Sequence, residues 1–151
     1  MPYLIQIKKA TKTDHPVLID IWEASVRATH HFLSNEDILY FRERILEQYF
    51  DLVDLYYLYL QEYDSVAGLL GIHEGKVEML FIDPKYFGRG YGRLLMEFAI
   101  DEHQVTKVDV NEHNPDALKF YETLGFSVVN RLEKDSEGKD FPILQLELRE
   151  K

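Results

Sequence analysis

LFIDPKYFGRGYGRLL, residues 80–95, is the stretch that decides how this chain folds. Its apolar start, Leu80–Ile82, predicts the end of a β-strand, and the glycines at positions 88, 90 and 92 predict a tight turn. The apolar residues after the turn recur at helical spacing: Tyr91, Leu94, Leu95 and Phe98. The stretch therefore predicts a strand, a glycine turn and an amphipathic helix in immediate succession.

The glycine turn is suited to hold a phosphate or pyrophosphate. The first turn of a helix has unpaired N–H groups and the positive end of the helix dipole, and glycine lets a ligand approach that backbone closely. Lys85, Arg89 and Arg93 surround the turn in a chain whose net charge is −10. The Gly-Lys-Ser/Thr ending of a P-loop is absent, as are the third-glycine spacing and the downstream acidic residue of a dinucleotide fingerprint. A purely steric turn is the alternative interpretation.

A second segment, Asn114–Phe126, has well-marked helix signals. Asn114 is suited to cap the helix N-terminus, and Pro115 suits the first helical position. Gly125 is placed to end the helix, and Ala117, Tyr121 and Leu124 share one face. The Tyr121 phenol is therefore expected to point inward.

Together the two segments resemble the acetyl-CoA motifs of the Gcn5-related N-acetyltransferase (GNAT) superfamily. The resemblance implies that the glycine turn holds the pyrophosphate of acetyl-CoA and that the preceding strand lies along its pantetheine arm. The residues it assigns to the cofactor are Leu80, Phe81, Ile82, Phe87, Gly88, Arg89, Gly90, Tyr91, Gly92, Arg93, Asn114 and Tyr121. Phe87 departs from the family, which usually has Arg or Gln there, so the local positive charge must come from Lys85, Arg89 and Arg93.

The resemblance covers nearly the whole chain and extends to the YjaB-like group, which is predicted to be acetyltransferase-like. Similar segments are Ile21-Trp22, Ser25-Val26, Ala28-Thr29-His30, Phe32-Leu33, Leu80–Pro84, Val110-Asn111-Glu112, Asn114, Asp135, Gly138, Phe141-Pro142 and Leu144. Family members place the early region over the thioester, so Trp22, His30 and Phe32 are candidates for the acceptor pocket. Ordinary helix packing and an exposed turn are the alternative interpretation of these three residues.

Composition limits the possible functions. At 151 residues and 46% hydrophobic, the chain is expected to form a single domain over residues 1–151, with no membrane segment and no signal peptide. It has no cysteine, so a cytoplasmic location is expected, without disulfides or a cysteine nucleophile. The six histidines have no metal-ligand spacing, so no metal is expected. The balance of 17 basic and 27 acidic residues argues against nucleic acid and favours a cationic acceptor such as an amine. The oligomeric state is not indicated by the sequence.

The order of elements predicts an α/β fold. Strands are expected at 3–9, 55–62, 65–73, 77–82, 105–111, 126–132 and 141–148, with helices from Thr13, from a capping box at Ser34–Asp37, after the glycine turn, and from Asn114. Mostly antiparallel strands followed by a βαβ crossover make an α/β sandwich around a mixed central sheet with flanking helices. This is the fold that the GNAT resemblance implies.

Acetyl transfer to an amine requires a neutral nucleophile and a proton for the departing thiolate. A lysine-like amine with a pKa of ~10.4 is neutral in about one molecule in 2,500 at pH 7, so a base or a desolvating pocket is useful. Glu78 is the favoured base because alternation along its strand sets it opposite Val77 and Met79, and Asp109 on the next strand is its rival. Tyr121 is the expected proton donor, with a core tyrosine as the alternative interpretation.

The sequence therefore predicts an acetyl-CoA-dependent N-acetyltransferase that transfers directly to a small-molecule or peptide amine in a ternary complex. A non-catalytic acyl-CoA-binding module with a partner-binding surface is the alternative, which the presence of Tyr121 disfavours. A nucleotide-binding protein is a third hypothesis, which the missing Lys-Ser/Thr disfavours.

Overall fold

The computed structural model describes residues 4–149, which form one mixed sheet of seven strands in the order β1-β2-β3-β4-β5-β7-β6. The strands are β1 (Ile5–Lys9), β2 (Asp54–Leu60), β3 (Ser65–His73), β4 (Lys76–Ile82), β5 (Lys107–Asn111), β6 (Phe126–Leu132) and β7 (Ile143–Leu148). Within this part of the chain, β4 and β5 form the one parallel pair, and the other neighbours are antiparallel. The predicted α/β sandwich with a mixed sheet is confirmed, although Tyr3 of the first predicted strand lies outside the described residues.

Four helices flank the sheet in the described chain: α1 (His15–Thr29), α2 (Asn35–Arg44), α3 (Tyr91–His103) and α4 (Pro115–Thr123). A π-helical turn, Ile45–Tyr49, and a short helical segment, Phe50–Leu52, extend α2 toward β2. No helix among residues 4–149 is long and apolar enough to span a bilayer.

The two helix N-termini for which the sequence predicts a capping residue form as predicted. The Asp37 backbone N–H donates to Ser34 Oγ at 3.1 Å, and the Ser34 N–H donates to Asp37 Oδ2 at 3.1 Å, which completes the predicted capping box. Asn114 caps α4 by accepting from the Ala117 N–H at 3.2 Å, with Pro115 in the first helical position.

Two apolar helix residues are more exposed than helical spacing alone would indicate. Helix α1 begins at His15, after a 3₁₀ turn at Lys12–Asp14, and its Val17 is 51% exposed. Helix α3 packs on the sheet through Leu95, Met96 and Ala99, which leaves Leu94 38% exposed. Helical spacing predicts an apolar stripe, but the neighbouring strands decide which edge of that stripe is covered.

The sheet separates two apolar cores. Helices α3 and α4 cover one face, with Leu70, Val77, Met96, Tyr121 and Phe126 in that core. Helices α1 and α2 cover the opposite face with residues that include Leu18, Trp22, Ile38, Leu69 and Met79. A site that uses residues from both cores must therefore be connected through an opening in the sheet.

Strands β4 and β5 separate soon after they meet. They pair only at Lys76↔Lys107 and Val77↔Val108, whereas β5 pairs with β7 along all of Lys107–Asn111. Beyond Val77, β4 pairs with no strand on the β5 side within residues 4–149. The resulting gap in the sheet is the feature around which the candidate site forms.

Candidate active site

A small cavity of about 90 Å³ lies in the gap between β4 and β5, and we call it the strand-gap cavity. Its walls are residues 77–81 of β4, residues 108–111 of β5, the α4 N-cap Asn114 with Ala117 and Tyr121 of α4, and His30 at the end of α1. It brings together the three residues predicted for chemistry, Glu78, Asp109 and Tyr121.

A larger opening of about 600 Å³, the glycine-turn cleft, adjoins the strand-gap cavity. The two openings share six lining residues: His30, Leu80, Phe81, Asn114, Ala117 and Tyr121. The cleft continues past Ile82 and Phe87 to Gly88, Gly90, Tyr91, Gly92 and Arg93. It therefore runs between β4 and α4 from the sheet gap to the glycine turn, and it contains all the residues assigned to the cofactor except Arg89.

The glycine turn forms an open cradle of backbone donors. Gly90 caps α3 with a φ of 81°, and the N–H groups of residues 88–93 have no hydrogen-bond acceptor among residues 4–149. A Cβ atom built at Gly88 or Gly90 meets nothing within 4 Å, and both residues have positive φ values that side chains of L-residues rarely adopt. The cradle therefore offers free N–H groups and open space to an anionic group.

The three basic side chains around the cradle make different contacts. Arg93 lines the cleft and lies 3.7 Å from Glu97, whereas Lys85 lies 3.9 Å from Asp83. Arg89 stacks its guanidinium over the Tyr86 ring at 5.7 Å, and it has no acidic partner among the described residues. Phe87 is 43% exposed at the cleft, where it presents an apolar face in place of the charge that the family usually has.

Tyr121 belongs both to the core and to the site. It is 7% exposed, contacts Phe120 and Phe126 edge-on, and lines the cleft and the strand-gap cavity. Burial raises the pKa of the Tyr121 phenol well above its ordinary value, so the hydroxyl keeps its proton at every working pH. Its hydroxyl has no hydrogen-bond partner among residues 4–149, and the residue lines both openings. The group is an available donor at the point where the two openings meet.

A β-bulge orients Glu78. Gly71 pairs with Met79 and Ile72 with Val77, so Glu78 is the extra residue between two register positions. Val77 consequently packs in the α3–α4 core, and Met79 packs in the α1–α2 core. The prediction that Val77 and Met79 share one face opposite Glu78 is therefore wrong, because the bulge interrupts the alternation.

Lys76 separates the two candidate bases. Its ammonium lies 2.6 Å from Asp109 Oδ2 and 3.6 Å from Glu78 Oε1. Burial lowers the pKa of Lys76, but the hydrogen bond and charge of Asp109 and the charge of Glu78 outweigh burial and raise the pKa overall. Asp109 is thus held in a close ion pair, and Glu78 is the less constrained carboxylate. The i, i+2 spacing of Lys76 and Glu78 was a sequence signal for this partnership.

His30 ends α1 beside the cavity and is kept neutral by its surroundings. Burial, and after it the neighbouring His31, lower the pKa of His30 to about 4. That depression corresponds to about 3 kcal/mol, which exceeds the ~1 kcal/mol by which a helix C-terminus favours a cation. The ring contacts Phe32 and Phe81, with centroid distances of 5.4 and 6.4 Å.

A third opening, the helix-side groove, lies on the other face of the sheet and measures about 510 Å³. Its lining is mainly apolar and aromatic: Trp22, Phe41, Ile45, Tyr49, Leu52, Val53, His73, Glu78, Met79, Phe81, Ser136 and Ile143. Glu78, Met79 and Phe81 also line the strand-gap cavity, so the groove meets the gap at β4.

The three residues predicted for the acceptor pocket lie in different places. Trp22 lines the helix-side groove and packs edge-on against Phe81 at 6.4 Å. His30 lines the strand-gap cavity and the cleft. Phe32 lines none of the three openings, and instead packs between His113 and Phe141.

The loop between β6 and β7 forms one wall of the helix-side groove. The Tyr40 hydroxyl donates to Glu137 Oε1 at 2.7 Å, and Arg44 Nε lies 3.3 Å from the same oxygen. The Lys139 ammonium lies 4.4 Å from the centre of the Tyr40 ring. These contacts tie the loop to α2 and hold Ser136 at the groove. The sequence offered no signal for them because they join residues almost a hundred positions apart.

No group of three His, Cys, Asp or Glu side chains among residues 4–149 is arranged to hold a metal ion. The chemistry available here comes instead from hydrogen-bond donors, two carboxylates and a neutral imidazole.

Comparison with known proteins agrees with this geometry. Residues 18–148 match the family model described as an acetyltransferase (GNAT) domain. The chain is 34% identical over 145 residues to the peptidyl-lysine N-acetyltransferase YjaB of Salmonella typhimurium, with 95% of this chain and 97% of that protein covered.

Two solved structures show the same fold. The solution structure of apo-form YjaB from Escherichia coli has a TM-score of 0.84 and 34% identity, with 95% of this chain and 96% of that chain covered. The PaiA N-acetyltransferase of Thermoplasma acidophilum, solved in complex with coenzyme A, has a TM-score of 0.65 and 21% identity, with 93% of this chain and 97% of that chain covered. The family match and the YjaB relatives favour an enzyme over a non-catalytic binding module or a nucleotide binder. The chain therefore belongs to the GNAT acetyltransferase family and is an acetyl-CoA-dependent N-acetyltransferase.

Proposed function

We propose that this enzyme acetylates the side-chain amine of lysine in a peptide or protein, by direct transfer in a ternary complex. The observation that carries the proposal is the connection through the sheet. The glycine-turn cleft lies mainly beside α3 and α4, with the end of α1 at its edge, the helix-side groove lies on the α1–α2 face, and the strand-gap cavity shares lining residues with both. Two reactants can thus approach from opposite faces and meet at β4. The chain has no cysteine, so an acyl-cysteine intermediate is excluded.

The lining of the helix-side groove suits a lysine side chain. Trp22, Phe41 and Ile45 offer apolar contact to the methylene stem, and the carboxylate of Glu78 stands where the groove meets the strand-gap cavity. A long apolar stem with a cationic tip matches that arrangement of surfaces. The YjaB relatives are named peptidyl-lysine N-acetyltransferases, which favours the same acceptor for this chain.

The cleft fits acetyl-CoA, which supplies the acetyl group as a thioester. We assign its pyrophosphate to the free N–H groups between Gly88 and Arg93, with Arg89 and Arg93 as nearby cations. Leu80, Phe81 and Ile82 would lie along the pantetheine arm, because β4 has no strand partner on that side. Asn114 lines both the cleft and the cavity, so it would contact the end of the same arm.

Tyr121 acts in this proposal as the donor to the departing thiolate. Full proton transfer from an ordinary phenol of pKa ~10 to a thiolate of pKa ~8.5 is uphill by roughly 2 kcal/mol. Burial raises the pKa of Tyr121 further, which makes full transfer harder still. The hydroxyl therefore stabilises the thiolate by donating a hydrogen bond, and the proton itself comes from the acetylated amine.

Glu78 is the proposed base for the incoming ammonium. It lines both the helix-side groove and the strand-gap cavity, so it meets the acceptor before the acetyl group does. Asp109 lines the strand-gap cavity and a separate opening between β5, β6 and β7, but not the helix-side groove, and it is paired with Lys76 at 2.6 Å. Accepting a proton would cost Asp109 this ion pair, which makes it the weaker candidate.

The acceptor assignment is tested with a set of matched peptides and acetyl-CoA. A peptide with one internal lysine should be acetylated at that lysine, as mass spectrometry would show, whereas the same peptide with glutamine in its place should stay unmodified. A peptide whose only amine is its N-terminus should react at least tenfold more slowly. Faster transfer to the N-terminus, or to a small polyamine, would contradict the lysine assignment.

The cofactor assignment predicts that Gly90→Val abolishes CoA binding. Saturating CoA should raise the melting temperature of the wild-type protein, because the ligand binds only the folded state. A valine at Gly90 fills the cradle and should remove that shift. Gly138→Val is the matched control, since Gly138 also has open space around it and a φ of 76°, but lies in the β6–β7 loop. Both variants should lose similar stability, and a CoA shift that survives in folded Gly90→Val would refute the assignment.

Tyr121→Phe should lower kcat by roughly 10²-fold or more while CoA affinity stays within a few-fold. The change removes one oxygen from a buried ring, so the free energy of unfolding should fall by only ~1 kcal/mol. Tyr86→Phe, at a second buried tyrosine that lines the cleft, is the control and should retain most of kcat. Equal kcat values for the two variants would make Tyr121 a core residue only.

The two carboxylates are distinguished by the pH profiles of their amide variants. Glu78→Gln should lower kcat most at low pH, where the acceptor is most fully protonated, and leave CoA binding nearly unchanged. Asp109→Asn should have the smaller effect on kcat and should reduce stability by roughly 1 kcal/mol or less, because it breaks a partly exposed ion pair with Lys76. The reverse order would transfer the role to Asp109.

A further inference from the structure

A hydrogen-bonded chain at the end of α1 fixes the tautomer of His30. The Thr29 hydroxyl donates to the Ser25 carbonyl oxygen at 2.8 Å, and Thr29 Oγ1 lies 2.7 Å from His30 Nδ1. A hydroxyl has one proton, and here that proton is given to a carbonyl that can only accept. The second contact is therefore satisfied when His30 Nδ1 carries the proton and donates to Thr29. Nε2 then holds a lone pair.

The His30 imidazole borders the candidate site, and its Nε2 is free to accept a hydrogen bond. Nε2 has no hydrogen-bond partner among residues 4–149, and it is not among the fully buried side-chain nitrogens of that region that lack a hydrogen bond. His30 lines both the strand-gap cavity and the glycine-turn cleft, as Tyr121 does. The imidazole and the phenol thus border the same junction, one as an acceptor and one as a donor.

We infer that His30 Nε2 accepts the proton that the acceptor amine loses as the amide bond forms, with Thr29 as the positioning residue. The inference rests on the proposed arrival of the amine through the strand-gap cavity. The amine nitrogen bonds to the acetyl carbonyl carbon, and the bond between that carbon and sulfur breaks with its electron pair left on sulfur. The nitrogen proton passes to Nε2, and the resulting imidazolium returns it to the thiolate or to water, which gives the amide and free CoA.

The low pKa of His30 suits it to accept the proton released as the amide forms, but not to deprotonate the incoming ammonium. With a pKa of about 4, the imidazole stays neutral at pH 7, so it does not repel a cationic amine. The same value makes it too weak to deprotonate a free ammonium of pKa ~10.4 to any large extent, so the amine must reach it already neutral. The nitrogen proton becomes strongly acidic only as the amide forms, and a weak base then accepts it readily.

The titratable groups near this imidazole come from every element around it. His31 is adjacent in the chain, and the titratable groups that line the two openings with His30 are Glu78 on β4, Asp109 on β5, Tyr86 before the glycine turn, Tyr91 and Arg93 on α3, and Asp116 and Tyr121 on α4. Lys76 neutralises much of the charge of Asp109, and Tyr121 is uncharged. The surroundings thus leave His30 neutral through the pH range in which the amine reacts.

Two substitutions of His30 test the role of the basic Nε2. In His30→Asn the amide N–H₂ can still donate to Thr29, but no atom stands at the Nε2 position. In His30→Gln the amide oxygen can reach that position and accept a hydrogen bond, but it is too weak a base to accept a proton. Both variants should lower kcat by roughly 10²-fold or more, with the Kd for CoA within a few-fold of wild type. A folded variant of either kind with kcat within threefold of wild type would overturn the inference.

Thr29 gives a readout that is independent of turnover. ¹⁵N NMR of histidine-labelled wild-type protein should show a protonated Nδ1 and an unprotonated Nε2 for His30 at pH 7. Thr29→Ser keeps the hydroxyl and should keep both signals and kcat, whereas Thr29→Val removes the acceptor and should change the tautomer and lower kcat. A wild-type Nε2–H signal, or a Thr29→Val protein with unchanged signals and kcat, would contradict the assignment.

The outcomes also distinguish this inference from the acceptor proposal. Wild-type protein that acetylates small amines but not lysine peptides would defeat the acceptor assignment, and the His30 variants would then be assayed with the amine that reacts. Wild-type protein that acetylates lysine while His30→Asn does so equally well would defeat the role of His30 and leave the acceptor assignment intact.

Discussion

The early separation of β4 from β5 is the constraint on which the site depends. Two parallel strands that share only two paired positions leave the rest of β4 with unpaired backbone groups on that side. Unpaired N–H and C=O groups in the middle of a sheet are costly unless a ligand or water satisfies them. The gap is stable because β5 is fully paired with β7 on its other edge, and α3 and α4 pack over the sheet on both sides of the opening.

The bulge at Glu78 complements this gap. An extra residue in β4 places Val77 and Met79 in cores on opposite faces of the sheet, and the strand twists more strongly at that point. A carboxylate on a regular strand would be fixed to one face. The carboxylate on the bulge lines both the gap and the helix-side groove. The irregularity therefore lets one residue serve openings on both sides of the sheet.

Much of the fold could be predicted from short-range sequence signals. Features that depend on how distant strands pair could not be predicted. The bounds of β3 and β6 and the caps at Ser34 and Asn114 follow from short-range signals, and the structure reproduces them. The bulge at Glu78 depends on which residues of β3 lie opposite, which one strand alone does not specify. The ion pair of Lys76 with Asp109 needs the β4–β5 register, and the link between Tyr40 and Glu137 needs a loop folded back onto α2. Short-range signals therefore pointed to residues that line the openings, but not to the partners of those residues.

The separation of the two cores has a consequence for how such an enzyme can change during evolution. Trp22 and Phe41 belong to the α1–α2 side, whereas the glycine turn and Tyr121 belong to the other side of the sheet. Substitutions that are far apart and share no partners have nearly additive effects on stability. The part of the groove around Phe41 can therefore be reshaped by mutation without disturbing the machinery that holds the thioester, whereas Trp22 is coupled to that machinery through its contact with Phe81. A lineage with this architecture can exchange one acceptor for another while the donor half stays the same.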